Sequence, residues 1–379
     1  MDITRLDAQL AFLTEADRLK SVTRATTLTN QSRAENSAEH SWQAALAAMI
    51  FLPDLAPERL DRVLSMILLH DLVEIDAGDQ PIDLPHDTVA LAEAEHAAAT
   101  RLFALLPADQ GARFHALWSE FEANETPDAR LAKSIDYAVP VIQVWAANPR
   151  RADHALVARD NCATGRARLI HETLPDLFAH LESELSGTDP DTIARTTFVA
   201  EADKLKNIVR ATTLCDASRF ENSAEHSWHL ALYALTLAEH APEGVSSFRV
   251  IRMLLLHDLV EIDAGDAPIY AQTEASQAAM ADLEEAAAAR LFGLLPTEQG
   301  AALNALWHEF EGSQTPDARF AKALDRFQPP MQNIASKGVS WRSHNVTYEM
   351  VDARVGAAVR RSVPELWAHV SPKIAALLS

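Results

Sequence analysis

The sequence predicts an all-α protein made of two tandem helical bundles related by duplication. Three observations predict this fold class. Only 11 of the 379 residues are glycine, and alanine, the best helix former, is abundant. Apolar residues recur at helical spacing, and no segment alternates polar and apolar residues as a half-buried strand does. Long stretches of the first half also recur in the second half.

The internal repeat defines the domain organisation. The blocks that match are 19–42 with 205–228, 68–79 with 255–266, 101–107 with 290–296, and 126–136 with 315–325. The second pair is unchanged and reads LLHDLVEIDAGD in both copies. Because the period is far longer than a solenoid repeat, it indicates two whole domains. We expect these domains to cover 1–188 and 189–379, with the boundary in the turn-rich segment 186–191.

The sequence pattern of each copy predicts a series of helices. Ser37 is placed to cap an apolar helix that Pro53 ends. Leu60–Ile75 is apolar on more than one face, which predicts one buried central helix. Three further helices are expected in the first copy, at 91–106, 114–122 and 129–144. We expect no strands.

Composition excludes several classes of partner. The chain has 33 Lys and Arg against 54 Asp and Glu, a formal net charge of −21, which disfavours binding to nucleic acid. Two cysteines are too few for a disulfide framework or a cysteine zinc site. The N-terminal stretch lacks the basic region of a signal peptide, and no apolar run is long enough to span a membrane. We therefore expect a cytoplasmic protein without a membrane partner.

One set of polar residues recurs in both copies and is the candidate functional site. It consists of His40, His70, Asp71 and Asp136 in the first copy, and His226, His257, Asp258 and Asp325 in the second. A charged Asp in an apolar helix is costly unless it is paired or bound to a metal. A His–Asp pair alone is also compatible with a core hydrogen bond. The full two-nitrogen, two-oxygen set suits a divalent metal with open coordination positions.

The chain resembles the HD-domain metal-dependent phosphohydrolases, and among them the 5′-deoxynucleotidase branch. The resemblance begins with LKxxxR at 19–24 and 205–210, followed by RxENSAEHS at 33–41 and 219–227. It continues through HDxxExxxGD at 70–79 and 257–266 and ends with KxxD at 133–136 and 322–325. These linked motifs cover most of each copy.

The resemblance implies a role for each residue of the motifs. The implied metal ligands are the eight His and Asp residues named above, with one divalent ion per copy (Mn, Co, Fe, Ni, Zn or Mg). Arg24 and Arg210 are implied to hold the substrate phosphate, as an Arg fork is suited to do. The implied catalytic residues, which would orient or deprotonate the attacking water or meet the sugar hydroxyl, are Glu74, Asp79, Glu261 and Asp266.

The residue after the phosphate Arg departs from the family pattern. The relatives carry a bulky Trp after the phosphate Arg that helps to reject ribose, whereas this chain has Ala25 and Ala211. Sugar specificity is therefore left open. Arg33 and Glu35 read as one structural ion pair that braces the loop before His40.

The leading hypothesis is a metal-dependent phosphohydrolase that acts on a small phosphomonoester, specifically a nucleoside 5′-monophosphate. An HD-type di-iron oxygenase is one alternative, and would need further His ligands. A non-catalytic, nucleotide-sensing tandem protein is another, and would be expected to show degraded ligands. We also expect the two copies to pair as an internal pseudo-dimer, since related single-domain proteins are expected to dimerise.

Overall fold

The structure is a computed structural model that describes residues 2–82, 84–85, 87–267 and 274–379. It confirms the all-α class. The first half contains α1 (Ile3–Ala16), a 3₁₀ turn (Asp17–Ser21), β1 (Thr23–Thr27), β2 (Ala34–Asn36), α2 (Ser37–Phe51), α3 (Pro57–Leu69), a 3₁₀ turn (His70–Val73), α4 (Glu74–Ala77), α5 (Thr88–Phe103), α6 (Ala108–Ala123), α7 (Pro127–Ala146), α8 (Ala152–Thr164), α9 (Arg168–Thr173) and α10 (Pro175–Glu182).

The second half follows the same order of α-helices and strands as far as the long α17, although its 3₁₀ turns differ. It contains α11 (Pro190–Ala202), a 3₁₀ turn (Asp203–Asn207), β3 (Val209–Thr213), β4 (Phe220–Asn222), α12 (Ser223–Thr236), a 3₁₀ turn (Ala238–His240), α13 (Ser247–Leu256), α14 (Glu261–Ala264), α15 (Glu274–Phe292), α16 (Thr297–Gly312), α17 (Pro316–Ala335), α18 (Val339–Ser343), α19 (Tyr348–Val351), a π turn (Asp352–Gly356), α20 (Ala357–Ser362) and α21 (Pro364–Leu378).

The expectation of no strands was wrong. In each half two short antiparallel strands pair, β1 with β2 and β3 with β4. The first strand of each pair contains β-branched Thr residues that favour extended backbone. At five and three residues, these strands are too short to show the alternation by which a strand is recognised in a sequence.

The continuous helix expected over Leu60–Ile75 was also wrong. The α-helix ends at Leu69, and His70–Val73 form a 3₁₀ turn before a single turn of helix at Glu74–Ala77. This tighter winding changes the directions in which His70, Asp71 and Glu74 point. The break therefore falls at the residues expected to carry the chemistry.

The N-terminus of α2 is capped one residue earlier than expected. Asn36, and not Ser37, accepts the backbone N–H of Glu39, while the Glu39 carboxylate accepts the backbone N–H of Asn36. This reciprocal arrangement is a capping box. Ser37 is already helical, so its hydroxyl is available to donate to Glu74. The same box forms at Asn222 and Glu225 in the second half.

The two halves pack through their central helices and exchange their first helices. Helix α2 packs against α12, while α1 packs against α12 and α11 packs against α2 and α7. The contacts are reciprocal: the indole N–H of Trp42 donates to the carbonyl of Leu255, and that of Trp228 donates to the carbonyl of Leu68. Within the described ranges, no helix combines the length and apolarity needed to cross a membrane.

Candidate metal centre

Three separate segments of the first half bring the expected ligands together. His40 comes from α2, His70 and Asp71 come from the 3₁₀ turn after α3, and Asp136 comes from α7. Ligand atoms of His40, His70 and Asp136 all lie within 4.8 Å of one another. Asp71 joins this group, since its Oδ1 lies 3.0 Å from Nε2 of His70. All four side chains are largely buried.

The second half builds the same group with slightly different spacing. Ligand atoms of His226, His257 and Asp258 lie within 4.8 Å of one another. Oδ1 of Asp325 lies 3.4 Å from Nε2 of His226 and 3.9 Å from Nε2 of His257. The corresponding distances to Asp136 in the first half are 2.7 Å and 3.5 Å. The second group is therefore a little more open around its last Asp.

The hydrogen bonding of two histidines fits a metal. Nδ1 of His70 lies 2.7 Å from the carbonyl of Ile67, and Nδ1 of His257 lies 2.8 Å from the carbonyl of Leu254. Because a carbonyl only accepts, Nδ1 carries the proton and Nε2 of a neutral ring presents a lone pair. Both Nε2 atoms are buried. Each lies 3.0 Å from Oδ1 of the adjacent Asp, but neither makes a hydrogen bond with acceptable geometry. A buried lone pair without a partner, beside carboxylates, suits a divalent cation.

Arg24 lies at the edge of the first group among three carboxylates. Its Nη1 is 2.9 Å from Asp71 Oδ2, 3.5 Å from Glu74 Oε1 and 3.7 Å from Asp79 Oδ1. Burial and the neighbouring charge of Asp71 raise the pKa of Glu74 well above its usual value, despite Arg24. Burial likewise raises the pKa of Asp79. Burial therefore disfavours the ionised form of both the Glu74 and Asp79 carboxyl groups beside the guanidinium.

Arg210 repeats this environment in the second half. Its Nη1 lies 2.6 Å from Asp258, 3.8 Å from Glu261 and 3.8 Å from Asp266. Burial, followed by the charge of Asp258, raises the pKa of Glu261 well above its usual value. Ser223 donates to Glu261 as Ser37 donates to Glu74. Each residue expected to act in catalysis or binding is therefore placed beside the metal group of its own half.

A cavity opens beside each group. The first has a volume of about 190 Å³, and Arg24, Asp79 and Asp136 form part of its wall. The second has a volume of about 210 Å³, and Arg210, Asp266 and Asp325 form part of its wall. Ala25 and Ala211 line these cavities as well. A small molecule that enters either cavity meets the guanidinium and the last Asp together.

The walls of the two cavities diverge away from the metal groups. Tyr137, Asn161 and Arg166 line the first cavity. Arg326, which occupies the position equivalent to Tyr137, lines the second together with Trp341. The two cavities therefore combine similar chemistry at the metal group with different surfaces for the rest of a ligand.

The expected ion pair between Arg33 and Glu35 was wrong. Arg33 instead pairs with Glu39, at 2.6 Å, and Glu35 pairs with Lys206 of the other half, at 2.7 Å. Local spacing suggested the first pairing, but the backbone of β2 directs Glu35 inward, where it is fully buried. Sequence reasoning assigned no role to Glu35 behind His40. The recurrence of Glu35 as Glu221 in the second copy was the available signal.

Comparison with known proteins places the chain in a family. A sequence profile described as HD domain matches residues 16–178 and again 202–367. The 5′-deoxynucleotidase HDDC2 of Homo sapiens is 30% identical over 137 residues, which cover 35% of this chain and 65% of that protein. HDDC2 of Danio rerio is 30% identical over 144 residues, covering 36% of this chain and 68% of that protein. The chain thus spans about two thirds of the length of these relatives.

One solved structure is similar to half of the chain. It is described as a predicted metal-dependent phosphohydrolase from Magnetospirillum magnetotacticum MS-1, determined at 1.37 Å resolution. It is 46% identical and covers 50% of this chain and 96% of its own, with a TM-score of 0.47.

Because the HD-domain profile matches most of the chain in two successive segments, the protein belongs to the HD-domain family and carries two HD domains in tandem.

Proposed function

We propose that the protein is a metal-dependent phosphohydrolase that removes phosphate from a small phosphomonoester, with a site in each half. One observation carries the proposal: in both halves a two-His, two-Asp group, in which one His Nε2 has no hydrogen-bond partner, lies beside a buried Arg at a cavity. A divalent ion held by such a group would polarise the phosphoryl oxygen and lower the pKa of a bound water.

The chain's own residues would bind and orient the phosphate. Arg24 and Arg210 present planar guanidinium groups, which can donate two parallel hydrogen bonds to phosphate oxygens. The contacts that each Arg makes with an Asp of the metal group keep the guanidinium beside that group. Charge that develops on the phosphate during displacement would then lie close to a fixed, buried cation.

Glu74 and Glu261 are proposed to handle the proton of the attacking water. Each follows the Asp of the His–Asp pair by three residues, and each accepts a hydrogen bond from a Ser hydroxyl that fixes its direction. A positioned carboxylate at such a place can accept a proton or return one. Asp79 and Asp266, at the cavity wall, are proposed to meet the sugar hydroxyl or the attacking water.

The proposed substrate is a nucleoside 5′-monophosphate. The human and zebrafish relatives are named as 5′-deoxynucleotidases, and each cavity extends from the Arg over apolar and polar surface. The presence of Ala25 and Ala211 favours an enzyme that admits both ribose and deoxyribose. We further propose that the reciprocal packing of the halves is an internal pseudo-dimer within one chain.

The test is phosphate release by the full chain. The protein is stripped of metal, reloaded with Mn²⁺, Co²⁺, Mg²⁺ or Zn²⁺, and supplied with nucleoside monophosphates and unrelated phosphomonoesters. We expect metal-dependent release that the double variant His70→Ala/His257→Ala loses, while His308→Ala, a partly exposed His outside both groups, retains it. Unchanged release by the double variant would overturn the proposal, as would a wild-type protein that binds no metal.

A further inference from the structure

A buried lysine from each half reaches into the other half. Nζ of Lys206 lies 2.7 Å from Oε2 of Glu35 and 2.6 Å from Oε1 of Gln43, both in the first half. Nζ of Lys20 lies 2.7 Å from Oε1 of Glu221 and 2.9 Å from Nδ1 of His229, both in the second half. Both lysine side chains and both glutamates are fully buried.

Each glutamate stands directly behind a histidine of the metal group. Oε1 of Glu35, the oxygen that does not contact Lys206, lies 3.7 Å from Nδ1 of His40. In the second half, Oε2 of Glu221 lies 3.1 Å from Nδ1 of His226. All four atoms are buried, and none of them has a hydrogen-bond partner. The glutamate is therefore the group available to accept the Nδ1 proton and leave Nε2 facing the carboxylates.

The same glutamate oxygen also faces the phosphate-binding arginine. Nε of Arg24 lies 3.7 Å from Oε1 of Glu35, and Nε of Arg210 lies 3.7 Å from Oε2 of Glu221. A single carboxylate thus contacts the lysine of one half while facing two site residues of the other.

The environment of Lys20 also explains a group that resembles a third metal site. Asp17, Glu221 and His229 place ligand atoms within 4.8 Å of one another. The ammonium of Lys20 lies within hydrogen-bond distance of all three. Because this group already holds a cation, its chemistry serves to anchor Glu221. Amides complete the anchoring, since Gln143 donates to Glu35 and Gln332 donates to Glu221.

We propose that each half completes the other's metal site: Lys206 positions Glu35 behind His40 of the first site, and Lys20 positions Glu221 behind His226 of the second. The lysines are positioning residues, and they act through the glutamates. This inference rests on the proposed metal site. The inference predicts that a substitution of the lysine in one half weakens metal binding at the site in the other half.

The experiment measures metal affinity at one site at a time in the full chain. His257→Ala leaves only the first site intact, and His70→Ala leaves only the second. On the His257→Ala background, Lys206→Met should weaken Co²⁺ and Mn²⁺ binding about 10-fold, the lower end of the range for outer partners of a ligating His. Lys20→Met, the matched control on this background, should leave the affinity unchanged. On the His70→Ala background, Lys20→Met should weaken metal binding about 10-fold, and Lys206→Met should leave the affinity unchanged.

A second variant keeps the test decisive if a lone lysine substitution impairs folding. Asp203→Asn/Lys206→Met removes one positive and one negative charge from the same cluster, and Asp17→Asn/Lys20→Met does so in the other. We expect either pair to weaken only the opposite site and to change the Co²⁺ absorption bands of that site. Equal loss at both sites, or loss only in the half that carries the substitution, would overturn the inference. Wild-type protein that binds no Co²⁺ would instead refute the proposed function.

Discussion

Nη1 of Arg24 lies 2.9 Å from Oδ2 of Asp71, so the residue expected to hold phosphate is paired with a residue expected to hold metal. Because Oδ1 of Asp71 faces Nε2 of His70, a metal could engage Oδ1 while Oδ2 keeps the Arg24 guanidinium beside it at the cavity wall. Phosphate and metal would then be bound side by side.

Loss of the Arg24 guanidinium should impair substrate binding at the first site. With the second site removed by His257→Ala, Arg24→Ala should lower kcat/KM roughly 10- to 100-fold, in line with the 1.5–3 kcal/mol of a hydrogen bond to a charged group. Arg24→Lys should recover little, because an ammonium cannot make the paired contacts of the fork. Arg130→Ala is the control, since its guanidinium pairs with the exposed Glu172. Equal kinetics for the Arg24 and Arg130 variants would contradict this role.

Metal removal should lower thermal stability. A ligand that binds only the folded state stabilises it by about 2.7 kcal/mol at 100 times its dissociation constant. We expect the thermal midpoint of stripped protein to rise by several degrees when Mn²⁺ or Co²⁺ is restored, as followed by circular dichroism. The double variant His70→Ala/His257→Ala should show no such rise. A similar rise in that variant would place the stabilising metal elsewhere.

Space beside the phosphate site should govern the sugar preference. Ala25 lines the first cavity next to Arg24, so wild-type protein should hydrolyse ribo- and deoxyribonucleoside 5′-monophosphates with kcat/KM values within about 10-fold. Ala25→Trp on the His257→Ala background should lower the ribonucleotide value more than the deoxyribonucleotide value. Ala211→Trp, which lines the other cavity, should not change this ratio on the same background. A strong deoxy preference in the wild type would show that Ala25 does not admit ribose.

Two glycines should differ sharply in their tolerance of alanine. A Cβ at Gly111 would lie 2.3 Å from the backbone oxygen of Phe103, so Gly111→Ala should destabilise the protein by about 2 kcal/mol or more. A Cβ at Gly312 would meet no atom within 4 Å, and the equivalent residue of the first half is Ala123. Gly312→Ala should therefore stabilise by about 0.5–1 kcal/mol. Thermal unfolding should show a lower midpoint for Gly111→Ala and a higher midpoint for Gly312→Ala. A Gly111→Ala variant as stable as wild type would refute the close approach.

The buried lysine clusters should make stability dependent on acid pH. Burial would raise the pKa of Asp17 and Asp203, but Lys20 and Lys206 with their neighbours outweigh it, so both pKa values are lowered in the folded protein. An unfolded Asp titrates near pH 3.9. The contribution of these two carboxylates to the free energy of unfolding is therefore fully present above about pH 4. It is lost as the pH falls through their pKa values in the folded protein. The stability gap between wild type and Asp17→Asn/Asp203→Asn should narrow as pH falls from 6 to 3. A constant gap would contradict this linkage.

Much of the site could be read from the sequence because its residues recur in linked motifs. His40, His70, Asp71 and Asp136 could be selected without a structure, since buried polar residues in apolar helices require partners and the same pattern occurs twice. The 3₁₀ turn at His70–Val73 could not be selected, because Leu72 and Val73 continue the apolar pattern of the helix and no Gly or Pro interrupts Leu60–Ile75. The cap at Asn36 lies only one residue from the expected Ser37, and the strands are too short to show an alternating pattern, so neither could be recognised from the sequence.

The sequence by itself determined the duplication, the helical class and the set of candidate ligands, because each of these depends on local pattern and spacing. Only the tertiary structure decided which groups stand behind those ligands. Lys206 is 171 positions from Glu35 in the chain, and the two meet because the first helices of the halves are exchanged. Arg33 turns from its near neighbour Glu35 to Glu39 for the same reason, since the buried lysine of the other half already neutralises Glu35. Contacts of this kind depend on how the two halves pack, and the spacing of residues along the sequence does not indicate that packing.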